Sequence, residues 1–117
     1  MEQVMRNYLV AKGETINLWE APDIENSTTI KPTGSYPLDS MSLDWEEQTV
    51  QIVFIGTSAI ELNTRIERIK KLLINAVSAD LIDGVVGFRL VADKAYMGKD
   101  TKARMAFTTN WIILKNI

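Results

Sequence analysis

Residues 47–76 read EQTVQIVFIGTSAIELNTRIERIKKLLINA, and their hydrophobic period changes once along the stretch. Up to Ile55, apolar and polar side chains alternate with the two-residue period of a strand that has one face on a core. From Val53 to Ile55 the stretch is apolar on both faces, which is typical of a strand inside a sheet. We therefore predict a central strand over residues 47–55.

A long helix is predicted to follow this strand. Ser58-Ala59-Ile60-Glu61 has the pattern of a capping box, in which Ser58 accepts from the amide of Glu61 and the Glu61 side chain reaches back to the amide of Ser58. Apolar side chains then recur every three or four residues, at Leu62, Ile66, Ile69, Leu73 and Ala76. This stripe lasts little more than two heptads, so it indicates a helix of about 59–77 lying on a sheet rather than a coiled coil.

The rest of the chain gives weaker local patterns. They predict a helix over 2–12 ended by a left-handed Gly13, strands over 15–19, 29–31, 85–91 and 103–114, an exposed turn over 22–28, an irregular Pro-Gly segment over 32–37, a turn over 80–84 and a long loop over 93–102. The last strand is expected to bury a single face. The sum is an α+β fold, a single domain over 1–117, in which a mainly antiparallel sheet is packed by one long helix and a short N-terminal helix.

The composition argues against catalysis. The 117 residues include no histidine and no cysteine, which removes the usual neutral-pH proton shuttle, thiol nucleophiles and thiolate metal sites. No Gly-rich phosphate loop is present. Asp44, Glu46 and Glu47 are interpreted as solvated or as facing a basic partner, and Asp80 and Asp83 as turn residues. We predict no enzyme activity, no cofactor and no metal.

Charge is distributed unevenly along the chain. Residues 1–57 carry a net charge of −6 and residues 58–117 a net charge of +4. Three interpretations are open: nucleic-acid binding by the basic half, head-to-tail association of copies through complementary surfaces, or averaging over the folded surface. A pI near 5.1 is opposite to that of a dedicated nucleic-acid binder.

No segment of the sequence is typical of targeting or membrane insertion. Residues 1–6 lack the basic start and apolar run of a secretory signal. The longest apolar run, Trp111-Ile112-Ile113-Leu114, is far shorter than a membrane span. We expect a soluble protein that is made in the cytoplasm and has no membrane partner.

Two segments carry a family resemblance. Residues 32–37, PTGSYP, and 96–111, YMGKDTKARMAFTTNW, resemble the minor capsid proteins of tailed bacteriophages and prophages, which are similar to tail-terminator (tail-completion) proteins. The resemblance covers about residues 30–114. The matching positions are Gly98, Asp100, Arg104, Phe107, Asn110 and Trp111. Ala103 departs from the pattern, because many relatives have glycine there.

The resemblance implies a structural virion protein at the head-tail junction, made in the bacterial host cytoplasm. Tail terminators form a homo-hexameric ring on the tail tube, stop tube polymerisation and present the surface to which the head-neck connector protein joins. DNA passes through such a ring without specific binding. The implied partners are therefore other copies of the chain, the tail-tube protein and the connector.

The resemblance also suggests residue roles. Tyr96, Met97, Lys99 and Lys102 are expected to contact a neighbouring protomer or the tube, and Thr33 with Tyr36 is expected to form a second contact surface. Gly34 and Gly98 are expected to adopt positive φ, and Arg104 to form a salt bridge either within the protomer or across the ring. Two alternatives remain open: another neck or tail-tube component of a phage, and a small ferredoxin-like ligand- or nucleic-acid-binding module.

Overall fold

The elements lie in three described stretches of the chain. The computed structural model describes residues 2–37, 45–82 and 84–116. In chain order its elements are α1 (Glu2–Ala11), β1 (Asn17–Leu18), β2 (Ser27–Pro37), β3 (Trp45–Gly56), α2 (Ala59–Ile74), a single 3-10 turn (Ser78–Asp80), β4 (Val85–Lys99) and β5 (Met105–Asn116). Neither described helix is long and apolar enough to cross a bilayer.

The strands form one sheet in the order β1-β2-β3-β5-β4. β1 pairs with β2 in parallel, and every other pair is antiparallel. β3 occupies the middle of the sheet, which confirms its predicted central position. Two helices beside a mostly antiparallel sheet confirm the predicted α+β class.

The core lies between one face of the sheet and the two helices. The apolar stripe of α2 is buried against alternate side chains of β3, as the two periodicities predict. The largest fully buried side chains are Trp111, Phe54, Met5, Leu9, Ile30, Ile52, Leu62, Ile66, Ile69, Leu73, Ile113 and Val50. The opposite face of the sheet carries no helix in the described part of the chain.

α2 begins as the capping pattern predicts and ends three residues earlier than expected. Ser58 Oγ accepts from the Glu61 amide at 3.2 Å. The Glu61 carboxylate binds Arg65 in place of the Ser58 amide that the capping box predicts. The helix ends at Ile74, Asn75 is its C-cap with φ −89° and ψ 0°, and the chain is extended at Val77, where φ is −113° and ψ is 155°.

The helix and the first strand predicted near the N-terminus are both present, and both are shorter than predicted. α1 ends at Ala11, one residue before the predicted end, and Gly13 has the expected left-handed backbone with φ +96°. β1 is confined to Asn17–Leu18, although the buried Ile16 continues its inward pattern.

The irregular segment predicted over 32–37 is wrong. These residues belong to β2, which extends from Ser27 to Pro37 and pairs with β3 along its whole length. Pro32 is tolerated because β1 ends at Leu18, opposite Ile30, so β2 has no partner on that side at Pro32. A register shift between Pro32 and Gly34 accommodates the segment.

The exposed turn predicted over 22–28 is also too long. It ends at Asn26, since Ser27 and Thr28 are buried residues of β2. At the other turn, Asp80 ends the 3-10 turn and Gly84 has φ +77°, while Asp83 lies outside the described residues.

The long loop predicted over 93–102 is wrong as well. β4 continues to Lys99, and its pairing with β5 extends from Val85↔Lys115 to Lys99↔Met105. The true connection is residues 100–104. Four register shifts along β4 break the alternation that sequence patterns depend on, so the second half of the strand does not look like one.

β5 begins at Met105, two residues later than predicted, and buries more than one face. Trp111 and Ile113 are fully buried on the helix side, as predicted. Thr108 and Ile112 point to the opposite face and are buried too. Because β5 lies between β3 and β4, side chains of both neighbours cover them.

Candidate interaction surface

The connection between β4 and β5 is organised by Asp100. Its amide donates to the Arg104 carbonyl at 3.0 Å, and its own carbonyl accepts from the Ala103 amide at 3.1 Å. Its Oδ1 accepts from the amides of Lys102 at 2.9 Å and Arg104 at 3.0 Å. One aspartate thus fixes a five-residue turn, as aspartate side chains do when they bond to nearby backbone amides.

Two backbone positions allow the hairpin to take this shape. Gly98 has φ +110°, as the sequence predicts, and lies at the last register shift of β4. Ala103 has φ +60°, a conformation that favours glycine. The departure from the family pattern therefore falls at the position where glycine would fit best.

The turn is fastened to residues 22–25 by ion pairs, which we call the tip cluster: Asp23, Asp100, Lys102 and Arg104. Asp23 accepts from Lys102 Nζ at 3.0 Å and from Arg104 Nη1 at 2.8 Å. Arg104 Nε donates to Asp100 Oδ2 at 2.6 Å, and Nη1 also donates to the Ile24 carbonyl at 3.0 Å. Of the two arrangements expected for Arg104, the structure contains the bridge within the protomer.

The pKa shifts of Asp23, Asp100 and Arg104 in the tip cluster all favour the charged form. Hydrogen bonds from Lys102 and then Arg104 lower the pKa of Asp23. The Arg104 amide and then its side chain lower the pKa of Asp100, although partial desolvation opposes them. Asp100 and Asp23 in turn raise the pKa of Arg104. Because these groups are near water, salt screens their attraction.

A second set of polar contacts ties the middle of β4 to α2. Lys70 Nζ lies 2.8 Å from Asp93 Oδ1 and 3.4 Å from Glu67, and Lys94 Nζ donates to Asn63 Oδ1. The hydrogen bond to Asp93 raises the pKa of Lys70. The hairpin is thus held at its turn and along its length.

The held hairpin exposes two large side chains. Tyr96 is 55% exposed and Met97 is 61% exposed, while the Tyr96 ring packs at 5.2 Å, centroid to centroid, on Phe107 across the hairpin. Beside Met97 lies a shallow cleft of about 250 Å³, which we call the hairpin cleft. It is lined by Ile55, Met97, Gly98, Lys99, Asp100, Arg104 and Ala106.

The second predicted contact surface lies at the other end of the sheet. Thr33 is exposed, and its hydroxyl donates to Thr49 Oγ1 at 2.7 Å. Gly34 pairs with Thr49 and Tyr36 with Glu47 on β3, whereas Tyr96 pairs with Phe107 near the opposite end of β5. The two predicted surfaces are therefore separate. The Tyr36 side chain lies outside the described residues, and positive φ at Gly34 stays a prediction.

Part of the charge asymmetry of the sequence is balanced inside the chain. Acidic residues of the first half bind basic residues of the second: Asp23 binds Lys102 and Arg104, Glu14 binds Arg68 at 2.6 Å, and Glu47 lies 3.6 Å from Arg89. Sequence reasoning missed this use of Asp23. Glu20 and Lys99 form no ion pair within the three described stretches.

Trp19 is a further exposed residue that the sequence did not single out. It is 57% exposed and has φ +73°, in a γ-turn closed by the Glu20 amide on the Leu18 carbonyl at 2.9 Å. Positive φ at a bulky residue is an outlier. The sequence feature that could have indicated an exposed Trp19 is its position beside Glu20 in a short acidic loop.

The described residues contain no cluster suited to metal chemistry. No group of three or more histidine, cysteine, aspartate or glutamate side chains among them could hold a metal ion. Nucleic-acid-binding sheets stack bases on exposed aromatic side chains, but on β5 Trp111 is fully buried and Phe107 is partly buried against the core. What residues 84–116 present instead is an exposed hairpin beside the hairpin cleft.

Comparisons with known proteins find likeness at the level of structure. No protein-family model and no curated protein matches the chain. Among solved structures, the chain is similar to a chain of the "Virion of native gene transfer agent (GTA) particle", with a TM-score of 0.69 and 12% identity over 100% of this chain and 95% of that chain. At this level of identity the likeness shows a shared fold.

Proposed function

We propose that this protein is a structural component of a phage virion and, within it, the tail terminator. In this role a hexameric ring of the chain caps the tail tube at the head-tail junction, stops tube polymerisation and offers the head-neck connector its joining surface. DNA passes through the ring without specific binding. The proposal assigns no catalytic step to any residue.

The observation that carries the proposal is the braced hairpin of β4 and β5. Tyr96 and Met97 are more than half exposed, yet the strand that presents them is fixed by the tip cluster and by Lys70. Aromatic and methionine side chains are enriched at protein interfaces. A rigid element that presents them is suited to assembly, because little conformational entropy is lost when a partner binds.

The placement of the predicted contact residues is compatible with a ring. A closed ring needs heterologous contacts, in which two different surfaces of each protomer meet. The surface around Thr33 and the surface around Met97 lie at opposite ends of the sheet. Two surfaces that far apart can each engage a different neighbour, so the same protomer can contact another copy and the tube or the connector.

The fold and a sequence resemblance add support for the virion assignment. The whole length of the chain aligns with a chain of a virion particle, and residues 96–111 resemble the phage minor capsid proteins. Fold alone does not fix function. We therefore base the narrower assignment on the exposed hairpin and test it through assembly.

Native mass spectrometry over a concentration series, with and without magnesium, tests the proposal. Discrete hexamers are expected. Assemblies that keep growing with concentration would indicate a tail-tube protein instead of a tail terminator. A second arm incubates labelled protein with purified tail tubes and locates it by electron microscopy, where binding at tube ends is expected. The proposal would be contradicted if the protein is monomeric at every concentration and does not bind to tube ends.

A further inference from the structure

We infer that Trp19 of one copy docks into the hairpin cleft of the next copy, with Glu20 of the first facing Lys99 of the second. This inference rests on the proposed self-assembly and names the contact that would build it. The occupant of the cleft is a second copy of this chain. Trp19 follows the edge strand β1, whereas the hairpin cleft lies over the ends of β3, β5 and β4.

The backbone at Trp19 holds the indole outside the core. The Trp19 amide donates to the Ile30 carbonyl at 2.9 Å, and the γ-turn to Glu20 keeps φ at +73°. Holding a bulky residue in this conformation costs stability, of the kind that proteins keep at functional positions. A tryptophan that is 57% exposed on a fixed turn is the residue type most enriched among interface hot spots.

The hairpin cleft is suited to receive one side chain. Gly98 and Ala106, which pair across the hairpin, are its smallest lining residues, and Ile55 and Met97 add apolar surface. Its volume of about 250 Å³ is below the usual range of roughly 300 to 1,000 Å³ for small-molecule pockets. The shape and lining thus favour an apolar side chain over a ligand.

Charge complementarity selects the second copy as the occupant. The segment containing Trp19 carries Glu20, Asp23 and Glu25 and no basic residue. Asp23 already pairs with Lys102 within the tip cluster, and the Glu25 carboxylate accepts from the Thr57 hydroxyl. Glu20, in contrast, forms no ion pair with any described residue. On the rim of the cleft, Lys99 is equally unpaired in the described part of the chain. Docking Trp19 in the cleft brings these two charges together.

The contact has the geometry of a ring. It joins the turn after β1 of one copy to the hairpin cleft of the next, which are two different surfaces. It is therefore heterologous and leaves the assembly with one free Trp19 and one free cleft until the ring closes. The many register shifts of β4 disfavour direct strand addition at the β4 edge of the sheet. A side chain inserted into the hairpin cleft does not require strand pairing at that edge.

The test uses reversed charges and their mixture. Glu20→Lys and Lys99→Glu are each expected to raise the half-assembly concentration about tenfold, because each places like charges at the contact. Mixing the two variants is expected to restore wild-type assembly. The lysine introduced in one variant then faces the glutamate introduced in the other, and at the next contact the unchanged Glu20 and Lys99 face each other. Restoration in the mixture would show that the pair acts between copies.

A third variant separates the inference from the proposed function. Trp19→Ala is expected to weaken assembly about tenfold or more, with Ile60→Ala as the matched control, because Ile60 is an isoleucine on α2 that is 83% exposed. Thermal melts monitor the fold of each variant. If wild type assembles and Trp19→Ala and the charge variants assemble equally well, the docking inference fails and the proposed function stands. If wild type neither assembles nor binds tubes, both fail.

Discussion

Arg65 donates two hydrogen bonds to the Glu61 carboxylate one helical turn earlier, from Nε at 3.0 Å and from Nη2 at 2.7 Å. The same guanidinium donates to the Ser27 carbonyl at 2.7 Å, Thr28 Oγ1 at 3.2 Å and the Ile55 carbonyl at 3.1 Å. It therefore joins the first turns of α2 to the start of β2 and the end of β3. These segments support the end of the sheet that carries the hairpin turn.

Replacing Arg65 by methionine is predicted to lower the free energy of unfolding by about 3 kcal/mol, because the buried acceptors on β2 and β3 lose their donor. Urea denaturation followed by circular dichroism measures the loss. The control is Glu61→Gln, which should cost about 0.5 kcal/mol because the Glu61 side chain is half exposed. Equal losses in the two variants would mean that the ion pair, and not the backbone contacts, is what matters.

Ala103→Gly is predicted to stabilise the protein by about 0.5 kcal/mol. Relief of the positive φ at Ala103 outweighs the added freedom of the unfolded chain. Thermal denaturation should show a rise in Tm of about 2 °C. Ala92→Gly in the exposed part of β4 serves as the control and should lower Tm, since glycine weakens a strand. A fall in Tm for both variants would contradict the prediction.

The tip cluster is predicted to make the stability depend on pH. Asp23 and Asp100 have lowered pKa values in the folded state, so their contribution is present in full above the ordinary value of 3.8. It is lost as pH falls through the lowered pKa. Asp23→Asn should therefore melt below wild type at pH 7, and the two curves should converge well below pH 3.8.

The matched control for this titration is Asp80→Asn, since Asp80 is exposed and has no ion pair within the described residues. It should follow the wild-type melting temperature at both pH values. Added salt should shrink the gap between wild type and Asp23→Asn at pH 7, because screening weakens exposed ion pairs. A gap that persists in acid would show that Asp23 acts through something other than its charge.

The centre of the fold could be predicted because its signals are local. β3 alternates with a period of two and α2 has its own cap and stripe, so each is visible within a short window. The second half of β4 is different. Residues 93–97 are all exposed, so they show no burial pattern, and their strand conformation depends on pairing with β5. Such non-local pairing is not visible in a single segment.

The same distinction applies to the candidate surface. Gly98 could be predicted to take positive φ because glycine is the residue that adopts it freely. The pairing of Asp23 with Lys102, 79 residues later, could not be predicted, because no periodicity relates the two segments. Trp19 was missed for a related reason. Its exposure follows from the γ-turn and not from the pattern around it.

Met97→Asp is predicted to abolish the joining of heads to tails while leaving the thermal melt nearly unchanged. The side chain is 61% exposed, so a carboxylate there remains hydrated in the monomer but would be desolvated in an interface. The readouts are an in vitro head-tail joining assay and a circular-dichroism melt. Ile60→Asp, a change at a still more exposed apolar residue, should join normally. If Met97→Asp supports normal joining, the hairpin is not part of the interface. If Met97→Asp lowers Tm strongly, Met97 stabilises the fold of the protomer.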